Sequence, residues 1–338
     1  ADTIKYNLDN GTNTTITGCS NQTMTGLGNG QHYVKVYVND TVGNTGNSSR
    51  ITFTVDTAVP QLAMQRPENI TYSFNTSLPL NYTQSDSFGV IDKCFFTIDG
   101  GSSTFLTGCV NATFNVSEGG HTLNLYVNDT AGNINRSTVN FTVDITTPNA
   151  TIQNPANTTF ASSSVNLNYT VSDNFALDKC TRELDGTNTT LTNCGNETMT
   201  SLSNGQHSVK VYANDTAGNI GNSSLVTFTV DTQFPQFANL TEEPADPAEY
   251  SANQFYLFNS TWTDNFVVDK VFIEFDGINY TGGNITKTGN VYSFNRTGLN
   301  VSVHNYKWFA NDTAGNLNQT SGQTYTVQDT IAPSLALQ

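Results

Sequence analysis

The sequence is poor in charge, and poorest in positive charge. Only 12% of its 338 residues are charged, and 13 Lys and Arg stand against 28 Asp and Glu, which gives a formal net charge of −15. The basic residues are spread thinly and never form a run. Because a nucleic-acid-binding surface needs clustered positive charge, this composition argues against nucleic acid as a partner.

The sequence also lacks a long apolar run and a helical hydrophobic period. No window of about 18 apolar residues occurs, so no membrane-spanning segment is predicted. The content of 36% apolar and 11% aromatic residues is nevertheless too high for a disordered chain, which buries too little surface to offset its conformational entropy. The composition therefore predicts a folded, all-β protein.

What the sequence does contain is a long internal repeat. Four blocks align, each with a proline at the same place: Pro60, Pro148, Pro235 and Pro333. The prolines are 87 to 98 residues apart, which is the length of one sandwich domain. The predicted domains are 1–59, a partial repeat; 60–147 and 148–234, two complete repeats; 235–332, a divergent repeat; and 333–338, the first strand of a further repeat.

Within each repeat the predicted strands alternate between apolar and polar residues. Val34, Val36 and Val38 share one face of their strand, because successive strand side chains point to opposite faces. The second repeat contains about seven strands, predicted at 61–66, 78–84, 93–99, 102–109, 111–117, 121–128 and 137–143. This pattern predicts tandem immunoglobulin-like, or fibronectin-like, antiparallel β-sandwiches arranged as an extended array.

The sequence begins and ends inside repeats. Ala1 to Ile4 align with Ile91 to Cys94, so the first repeat enters at its third strand and lacks two. Two explanations are open: the array continues in both directions, or a neighbouring copy supplies the missing strands. We favour a continuing array, because one donated strand would replace only one of the two.

The run LYVNDTAGNINRSTVNFTVDITTP, residues 125–148, and its copies resemble the tandem immunoglobulin-like repeats of large bacterial and archaeal surface proteins. The resemblance covers essentially the whole chain and implies an extracellular, cell-surface location. Such repeats serve several roles. We therefore consider a structural segment of an archaeal surface stalk or filament, whose partners are other copies or other surface proteins; an adhesin or carbohydrate-binding array, whose partners are glycans; and a non-catalytic appendage of a secreted hydrolase.

The histidines and the common catalytic motifs argue against an enzyme. The four histidines occupy one register in successive repeats, so they lie a domain apart and cannot share a metal or a triad: His32, His121, His207 and His304. No Gly-x-Ser-x-Gly, His-Glu-x-x-His or glycine-rich phosphate loop occurs. We expect a structural role for the histidines, no catalytic residue and no required cofactor.

Four of the five cysteines are predicted to form disulfides. Cys94 and Cys109 lie symmetrically about an Asp-Gly turn, and so do Cys180 and Cys194, so each pair faces across a hairpin. A zinc site would need four ligands, which neither hairpin offers. Cys19 has Ile4 at the position of its partner and is predicted to be unpaired. A buried, inactive thiol is favoured over an intermolecular disulfide.

Asn-x-Ser/Thr triplets recur on predicted turns and polar strand faces. An Asn- and Thr-rich sequence produces such triplets by chance, but their positions suit N-linked glycans in solvent. The candidate acceptors are Asn10, Asn39, Asn81, Asn115, Asn128, Asn140, Asn168, Asn196, Asn214, Asn279 and Asn311.

Acidic turns are the candidate ligand sites. In an immunoglobulin-like sandwich, the linker entering a domain, the loop after its second strand and the loop before its last strand meet at one pole. Carboxylates converging there would suit calcium, which takes six to eight oxygen ligands. The alternative is that Asp and Asn serve local turn hydrogen bonds alone. The candidates are Asp56, Asp86, Asp92 and Asp129; Asp144, Asp173, Asp178 and Asp215; and Asp231, Asp264, Asp269 and Asp312.

Aromatic residues set the fourth repeat apart. Trp262, Trp308 and Tyr280 would form either a sugar-binding face or part of a larger core, and the core is favoured.

Overall fold

The computed structural model describes residues 3–333, except for the side chain of Cys19. The chain forms two compact units, Ala1–Thr146 with Thr216–Asn219 (unit 1) and Thr147–Asp215 with Ile220–Gln338 (unit 2). The predicted all-β class is confirmed, since the helical elements within residues 3–333 are four 3₁₀ turns at Thr17–Cys19, Thr107–Cys109, Thr192–Cys194 and Gly282–Asn284. None of the described helical segments has the length and apolar character needed to cross a membrane.

The first repeat of unit 1 is a single five-stranded sheet. Its strands are Thr3–Leu8 (β1), Thr14–Ile16 (β2), Gly30–Asn39 (β3), Thr45–Asn47 (β4) and Ile51–Val55 (β5). β1 pairs with β2 and β3, and β3 also pairs with β4 and β5, all antiparallel. Among the described residues before Pro60 no second sheet covers this one, and Val36 on its apolar face stays 36% exposed.

The second repeat, also in unit 1, is a complete two-sheet sandwich. Its strands are Gln61–Arg66 (β6), Thr71–Tyr72 (β7), Leu78–Ser85 (β8), Ile91–Ile98 (β9), Thr104–Leu106 (β10), Ala112–Phe114 (β11), Gly119–Asp129 (β12) and Ile134–Val143 (β13). The sheet orders are β10-β9-β12-β13-β7 and β11-β8-β6. The predicted strand 102–109 is shorter than expected, because the chain enters the Thr107–Cys109 turn after Leu106. The two-residue β7 is too short to give a sequence pattern.

The third repeat, in unit 2, has the same two-sheet plan. Its strands are Asn149–Asn154 (β14), Thr159–Phe160 (β15), Val165–Ser172 (β16), Leu177–Leu184 (β17), Thr187–Leu191 (β18), Glu197–Met199 (β19), Gly205–Asp215 (β20), Ile220–Asn222 (β21) and Val226–Val230 (β22). The sheet orders are β14-β16-β19 and β15-β22-β20-β17-β18, with β21 paired to β20.

The fourth repeat, also in unit 2, is the most aromatic. Its strands are Gln236–Glu243 (β23), Ala248–Glu249 (β24), Phe255–Thr263 (β25), Val268–Phe275 (β26), Ile278–Tyr280 (β27), Ile285–Thr288 (β28), Val291–Thr297 (β29), Ser302–Asp312 (β30), Leu317–Gln319 (β31) and Gln323–Gln328 (β32). The sheet orders are β23-β25-β29-β28 and β24-β32-β30-β26-β27, with β31 paired to β30. The predicted strand 333–338 lies, from residue 334 onward, outside the described residues.

Each complete repeat has its own core between its two sheets. In the second repeat Leu78 and Leu80 of β8 are fully buried, as are Leu123 and Leu125 of β12. The alternation predicted along β12 therefore does place one face inward, and fully burying one such side chain stabilises the fold by about 1.5–3 kcal/mol.

Both predicted disulfides are present in the structure. Cys94 bonds to Cys109 with a Cα–Cα distance of 5.2 Å, and Cys180 bonds to Cys194 with a Cα–Cα distance of 5.0 Å. Cys19 ends a 3₁₀ turn whose sequence, Thr-Gly-Cys, matches the turn ending at Cys109. The predicted unpaired state of the Cys19 thiol lies outside the described part of the chain.

Candidate functional site: acidic clusters at the repeat junctions

In unit 1, three aspartates converge where the first repeat passes into the second. Asp56 follows β5, Asp86 follows β8, and Asp129 ends β12. Each contributes one carboxylate oxygen to a group in which all three atoms lie within 4.8 Å of one another. A Cβ added to Gly89 would lie 2.6 Å from Oδ2 of Asp56, so only glycine fits beside this cluster without displacing that carboxylate.

In unit 2, the same arrangement occurs where the third repeat passes into the fourth. Asp231 follows β22, Asp264 follows β25, and Asp312 ends β30. Their three carboxylate oxygens again lie within 4.8 Å of one another. Asp231 is 0% exposed and Asp312 is 1% exposed, so two of the three carboxylates are removed from solvent.

In each cluster, one aspartate from the linker and one from a loop use one carboxylate oxygen for hydrogen bonds that form their turn. The second carboxylate oxygen of each has no hydrogen-bond partner. Oδ1 of Asp231 accepts from the backbone N–H of Gln233 and from Nδ2 of Asn265, each at 3.1 Å. Oδ2 of Asp231 is buried and has no hydrogen-bond partner, and the same holds for Oδ2 of Asp264. Turn chemistry thus accounts for one oxygen of each carboxylate and not for the second.

Asp56 and Asp86 repeat this division in unit 1. Oδ1 of Asp56 accepts from the N–H of Ala58 at 3.0 Å, and Oδ1 of Asp86 accepts from the N–H of Phe88 at 2.9 Å. Their Oδ2 atoms are both buried without a hydrogen-bond partner. Two junctions therefore present the same pair of unsatisfied, anionic oxygens.

The electrostatics of the unit 2 cluster favour an added positive charge. Burial raises the pKa of Asp264 above its ordinary value, and the nearby carboxylates of Asp231 and Asp312 raise it further, against the opposing hydrogen bond from the N–H of Phe266. Like charges held close together destabilise the ionised form of each group. A cation between the three carboxylates would remove that cost.

The clusters fit the requirements of calcium. Calcium lies 2.3–2.6 Å from its oxygen ligands, so two oxygens bound to one ion are at most about 5 Å apart. The 4.8 Å limit in each cluster satisfies this condition. Asp56, Asp86 and Asp129 would hold an ion in unit 1, and Asp231, Asp264 and Asp312 in unit 2.

Not every predicted ligand joins a cluster. Asp92 and Asp269 lie at β-bulges on β9 and β26, where the register shift leaves them exposed at the surface, 3.5 and 4.0 Å from Lys93 and Lys270. Asp178 occupies the same exposed position on β17. These three residues lie outside the groups of three carboxylates, because the strand has already begun where a loop was expected.

The remaining three candidates lie in different units. Asp144 is fully buried after β13 in unit 1. In unit 2, Asp173 and Asp215 bring carboxylate oxygens within 4.8 Å of each other, and Asp215 is 2% exposed.

Asparagine side chains fasten the linkers, a feature that the sequence analysis missed. Nδ2 of Asn133 donates to the carbonyl of Asp56 at 3.2 Å, and Nδ2 of Asn135 donates to the carbonyl of Pro60 at 2.8 Å. Asn316 and Asn318 make the equivalent bonds to Asp231 at 2.9 Å and Pro235 at 2.7 Å. The recurrence of Asn-x-Asn after each Asn-Asp-Thr-x-Gly was the available signal in these two repeats.

The candidate glycan acceptors differ in exposure. Seven are exposed: Asn10, Asn39, Asn115, Asn140, Asn168, Asn196 and Asn279. Four are half-buried: Asn81, Asn128, Asn214 and Asn311. The last three of these precede the buried aspartates of the Asn-Asp-Thr turns, and Oδ1 of Asn128 is buried without a hydrogen-bond partner.

The aromatic residues of the fourth repeat mainly form its core. Trp262 and Trp308 are 1% and 0% exposed, which excludes them from an exposed sugar-binding face. Val271 stands where Cys94 stands in the second repeat, and beside it lies a cleft of about 740 Å³. Tyr292, Lys287, Asp269 and Asn311 also line this cleft.

Comparison with solved structures finds similarity to tandem immunoglobulin-like repeats. No family model and no curated protein matches the chain. Among solved structures, the I-band fragment I67–I69 from titin is 11% identical with a TM-score of 0.49, covering 82% of this chain and 100% of the fragment. A tetra-tandem repeat from the extending region of a large adhesion protein is 17% identical with a TM-score of 0.37, covering 97% of this chain and 92% of that one.

A third structural neighbour comes from a 1.5-MDa bacterial ice-binding adhesin. It is 18% identical with a TM-score of 0.33, covering 81% of this chain and 99% of that one. Identities and TM-scores at this level carry no argument about function. The function is therefore argued from the residues of this chain.

Proposed function

We propose that this chain is a non-catalytic, structural segment of an extracellular, N-glycosylated archaeal surface stalk or filament, with calcium bound at the junctions between its repeats. The observation that carries the proposal is Asp231. It is 0% exposed, its Oδ2 has no hydrogen-bond partner, and its carboxylate lies beside those of Asp264 and Asp312. A buried anionic oxygen without a partner costs free energy that a cation would recover.

The position of the clusters suits a mechanical role. Asp231 belongs to the linker that enters the fourth repeat, whereas Asp264 and Asp312 belong to loops of that repeat. An ion shared by these three residues would fix the linker to the repeat. Because the clusters recur at two junctions, they suit architecture better than acid–base catalysis, which needs a unique site.

Two features support an extracellular location on a cell surface. The two disulfides suit an oxidising compartment. Seven of the candidate glycan acceptors are exposed, as N-linked glycosylation requires. The proposed partners are other copies of this chain or other surface proteins.

Calcium titration tests the central part of the proposal. The full chain is freed of metal with a chelator, and calcium binding is measured by isothermal titration calorimetry together with the melting temperature. We expect binding at no fewer than two sites and a higher melting temperature with calcium. Absence of binding heat together with an unchanged melting temperature would remove calcium from the proposal.

Electron microscopy of the native material tests the assembly. Ordered helical arrays would establish a filament, whereas isolated flexible rods would leave a stalk and reject self-assembly.

A second candidate function, a carbohydrate-binding array, is favoured by the cleft of the fourth repeat. The cleft of about 740 Å³ combines the Tyr292 ring with the polar side chains of Asp269, Asn311 and Lys287. Ligand sites are commonly concave, largely apolar and equipped with a few polar groups. Glycan-array binding that is lost on substitution of the exposed cleft residue Lys287 (Lys287→Ala) and kept in Asp92→Asn would support this function, and an array without hits would reject it.

A further inference from the structure

Each of the four histidines makes two short contacts, one from each ring nitrogen. Nδ1 of His121 lies 2.7 Å from Oδ2 of Asp99, and its Nε2 lies 2.9 Å from the carbonyl oxygen of Ser117. The corresponding pairs of distances are 2.6 and 2.8 Å for His32, 2.7 and 2.9 Å for His207, and 2.7 and 3.1 Å for His304.

These contacts determine how many protons the ring carries. A backbone carbonyl and an ionised carboxylate only accept hydrogen bonds, whereas a neutral imidazole has a single N–H to donate. A neutral ring would therefore direct one nitrogen lone pair at an oxygen lone pair. Only the imidazolium, which donates from both nitrogens, satisfies both contacts.

The carboxylates of Asp99 and Asp185 are themselves held in the ionised form. Oδ1 of Asp99 accepts from the N–H of Thr122 at 2.8 Å, and Oδ1 of Asp185 accepts from the N–H of Ser208 at 2.7 Å. Burial opposes ionisation, but the bonds from His121 and Thr122 outweigh it and lower the pKa of Asp99. A proton shared by the pair therefore resides on the histidine.

The rings are enclosed, and the turn aspartate supplies the charge beside them. His121, His207 and His304 are 8%, 7% and 5% exposed. His207 faces Asp185 from the β17–β18 turn, the Ser203 carbonyl from the loop before β20, and the Phe228 ring of β22 at 5.5 Å. In the first repeat, His32 faces Asp9 and the Phe53 ring. The hydrogen bond from His32 lowers the pKa of Asp9, and the positive charge of Arg50 contributes to lowering it.

We propose that every repeat contains a doubly protonated histidine that acts as a proton-dependent clamp, tying its hairpin turn to the loop four residues before the histidine. This clamp is independent of the calcium sites and of the surface role proposed above. The clamped aspartates sit in the left-handed region, with φ of 51° for Asp99, 50° for Asp185 and 48° for Asp276. The clamp therefore holds a turn whose conformation is unfavourable for most residues.

The direction of the pH effect follows from the histidine protonation. Burial lowers the pKa of His207, but its bonds to Ser203 and Asp185 outweigh burial and the pKa is raised above 6.5. The bond to Asp9 raises the pKa of His32 in the same direction. At these two histidines the folded state thus binds more protons than the unfolded chain does near neutral pH. Its added stability is complete below about pH 6.5 and is lost as the pH rises through the folded pKa.

The decisive measurement is nitrogen NMR of the full chain labelled at histidine, titrated from about pH 5 to pH 9. With four histidines in the sequence, the signals can be assigned by substitution. We expect His32 and His207 to keep both ring nitrogens protonated above about pH 6.5, where a free histidine is mostly neutral. Ring nitrogens that titrate near the ordinary value, or a single protonated nitrogen at pH 6, would overturn the clamp.

A variant separates the clamp from simple packing. Asp185→Asn keeps a side chain that tolerates the left-handed turn but removes the carboxylate, so the pKa of His207 should fall toward or below its ordinary value. Asp178→Asn, at an exposed site of the same repeat, should leave that pKa unchanged. Both are measured with calcium and with chelator. An unchanged His207 pKa in Asp185→Asn would contradict the proposal.

Discussion

Asn316 donates a hydrogen bond from Nδ2 to the backbone carbonyl of Asp231, 85 residues earlier, at a distance of 2.9 Å. The same amide nitrogen lies 2.8 Å from Oδ2 of Asp312. A neutral amide thus fixes the linker backbone while the carboxylate of Asp231 remains directed at other carboxylates. Asn133 connects Asp56 and Asp129 in the same way in unit 1, at 3.2 and 2.8 Å. The junction is therefore already formed by uncharged groups, and a cation would add to it.

Substitution of Asp231 by Asn should remove one calcium site. The variant keeps the size of the side chain and loses the buried charge. We expect calorimetry to show one calcium ion fewer per chain, and the calcium-dependent stabilisation of the fourth repeat to be lost. At a calcium concentration of 100 times Kd that stabilisation is about 2.7 kcal/mol.

The metal-free variant supplies a second readout. Because Asp231→Asn relieves repulsion between carboxylates, it should be at least as stable as the wild-type chain in chelator. Asp269→Asn is the matched control, since Asp269 is an exposed aspartate of the same repeat beside Lys270. An unchanged calcium stoichiometry in Asp231→Asn, or a loss in Asp269→Asn, would place the ion elsewhere.

Calcium binding in unit 2 should weaken in acid. Burial, and then the charges of Asp231 and Asp312, raise the pKa of Asp264, so the metal-free folded state binds a proton there more readily than the unfolded chain does. In the absence of calcium, the carboxyl group of Asp264 therefore contributes less to the stability of the folded state as the pH rises through its pKa. With calcium, ion and proton compete for the same carboxylate.

Calorimetric affinities at about pH 7 and about pH 4 measure this competition. The Kd should increase at the lower pH, and Asp264→Asn should reduce the pH dependence along with the affinity. A Kd that does not change between the two pH values would show that protonation of the cluster is not linked to binding.

The strands and disulfides were accessible from sequence because their signals are local and periodic. The alternation of Leu123, Leu125 and Val127 matches their burial, since the period of a strand is two. The hairpin symmetry of Cys94 and Cys109 fixed their pairing. By contrast, Asp86 and Asp92 are equivalent in the sequence, since both are acidic residues of a predicted turn. In the structure β9 begins between them, so Asp86 joins the cluster and Asp92 lies at the surface.

The histidine contacts were less accessible because they connect distant positions. The recurrence of His207 and its equivalents indicated a structural role, but not the partner. Asp185 lies 22 residues before His207, and in the sequence it belongs to the Asp-Gly turn between Cys180 and Cys194. When a side chain takes part in both a turn and a tertiary contact, the local sequence pattern predicts the turn and gives no signal of the tertiary contact.

Gly221 should not tolerate even a methyl group. It stands where the second repeat has Asn135, and a Cβ added there would lie 1.6 Å from the carbonyl oxygen of Pro148. The obstruction is backbone, which cannot rotate away as a side chain would. We expect Gly221→Ala to destabilise the third repeat by about 1–3 kcal/mol or more in denaturant unfolding of the full chain.

Gly283→Ala is the control for this substitution. A Cβ at Gly283 meets nothing within 4 Å, and its φ is not positive. That variant should remain within about 0.5 kcal/mol of the wild-type chain. Equal stability of the two variants would contradict the close approach at Pro148.

Whether an asparagine carries a glycan should depend on whether its Nδ2 already donates a hydrogen bond, and not on the Asn-x-Ser/Thr triplet alone. An N-linked sugar is attached through Nδ2. Asn318 and Asn135 both belong to Asn-x-Ser/Thr triplets, yet their Nδ2 atoms donate to the carbonyls of Pro235 and Pro60 at 2.7 and 2.8 Å. Asn140 instead uses Oδ1, which accepts from Oγ1 of Thr122 at 2.8 Å, and its side chain is exposed.

Glycopeptide mass spectrometry of the native material distinguishes these positions. Asn140 and the exposed Asn168 should carry sugar, whereas Asn135 and Asn318 should be found unmodified, because a glycan there would break the bond that fastens the linker. Asn168→Gln should abolish one glycan and leave the melting temperature within a few degrees of wild type. Asn318→Gln should lower the melting temperature without changing the glycan mass. Sugar on Asn318 in the folded protein would show that its bond to Pro235 is dispensable.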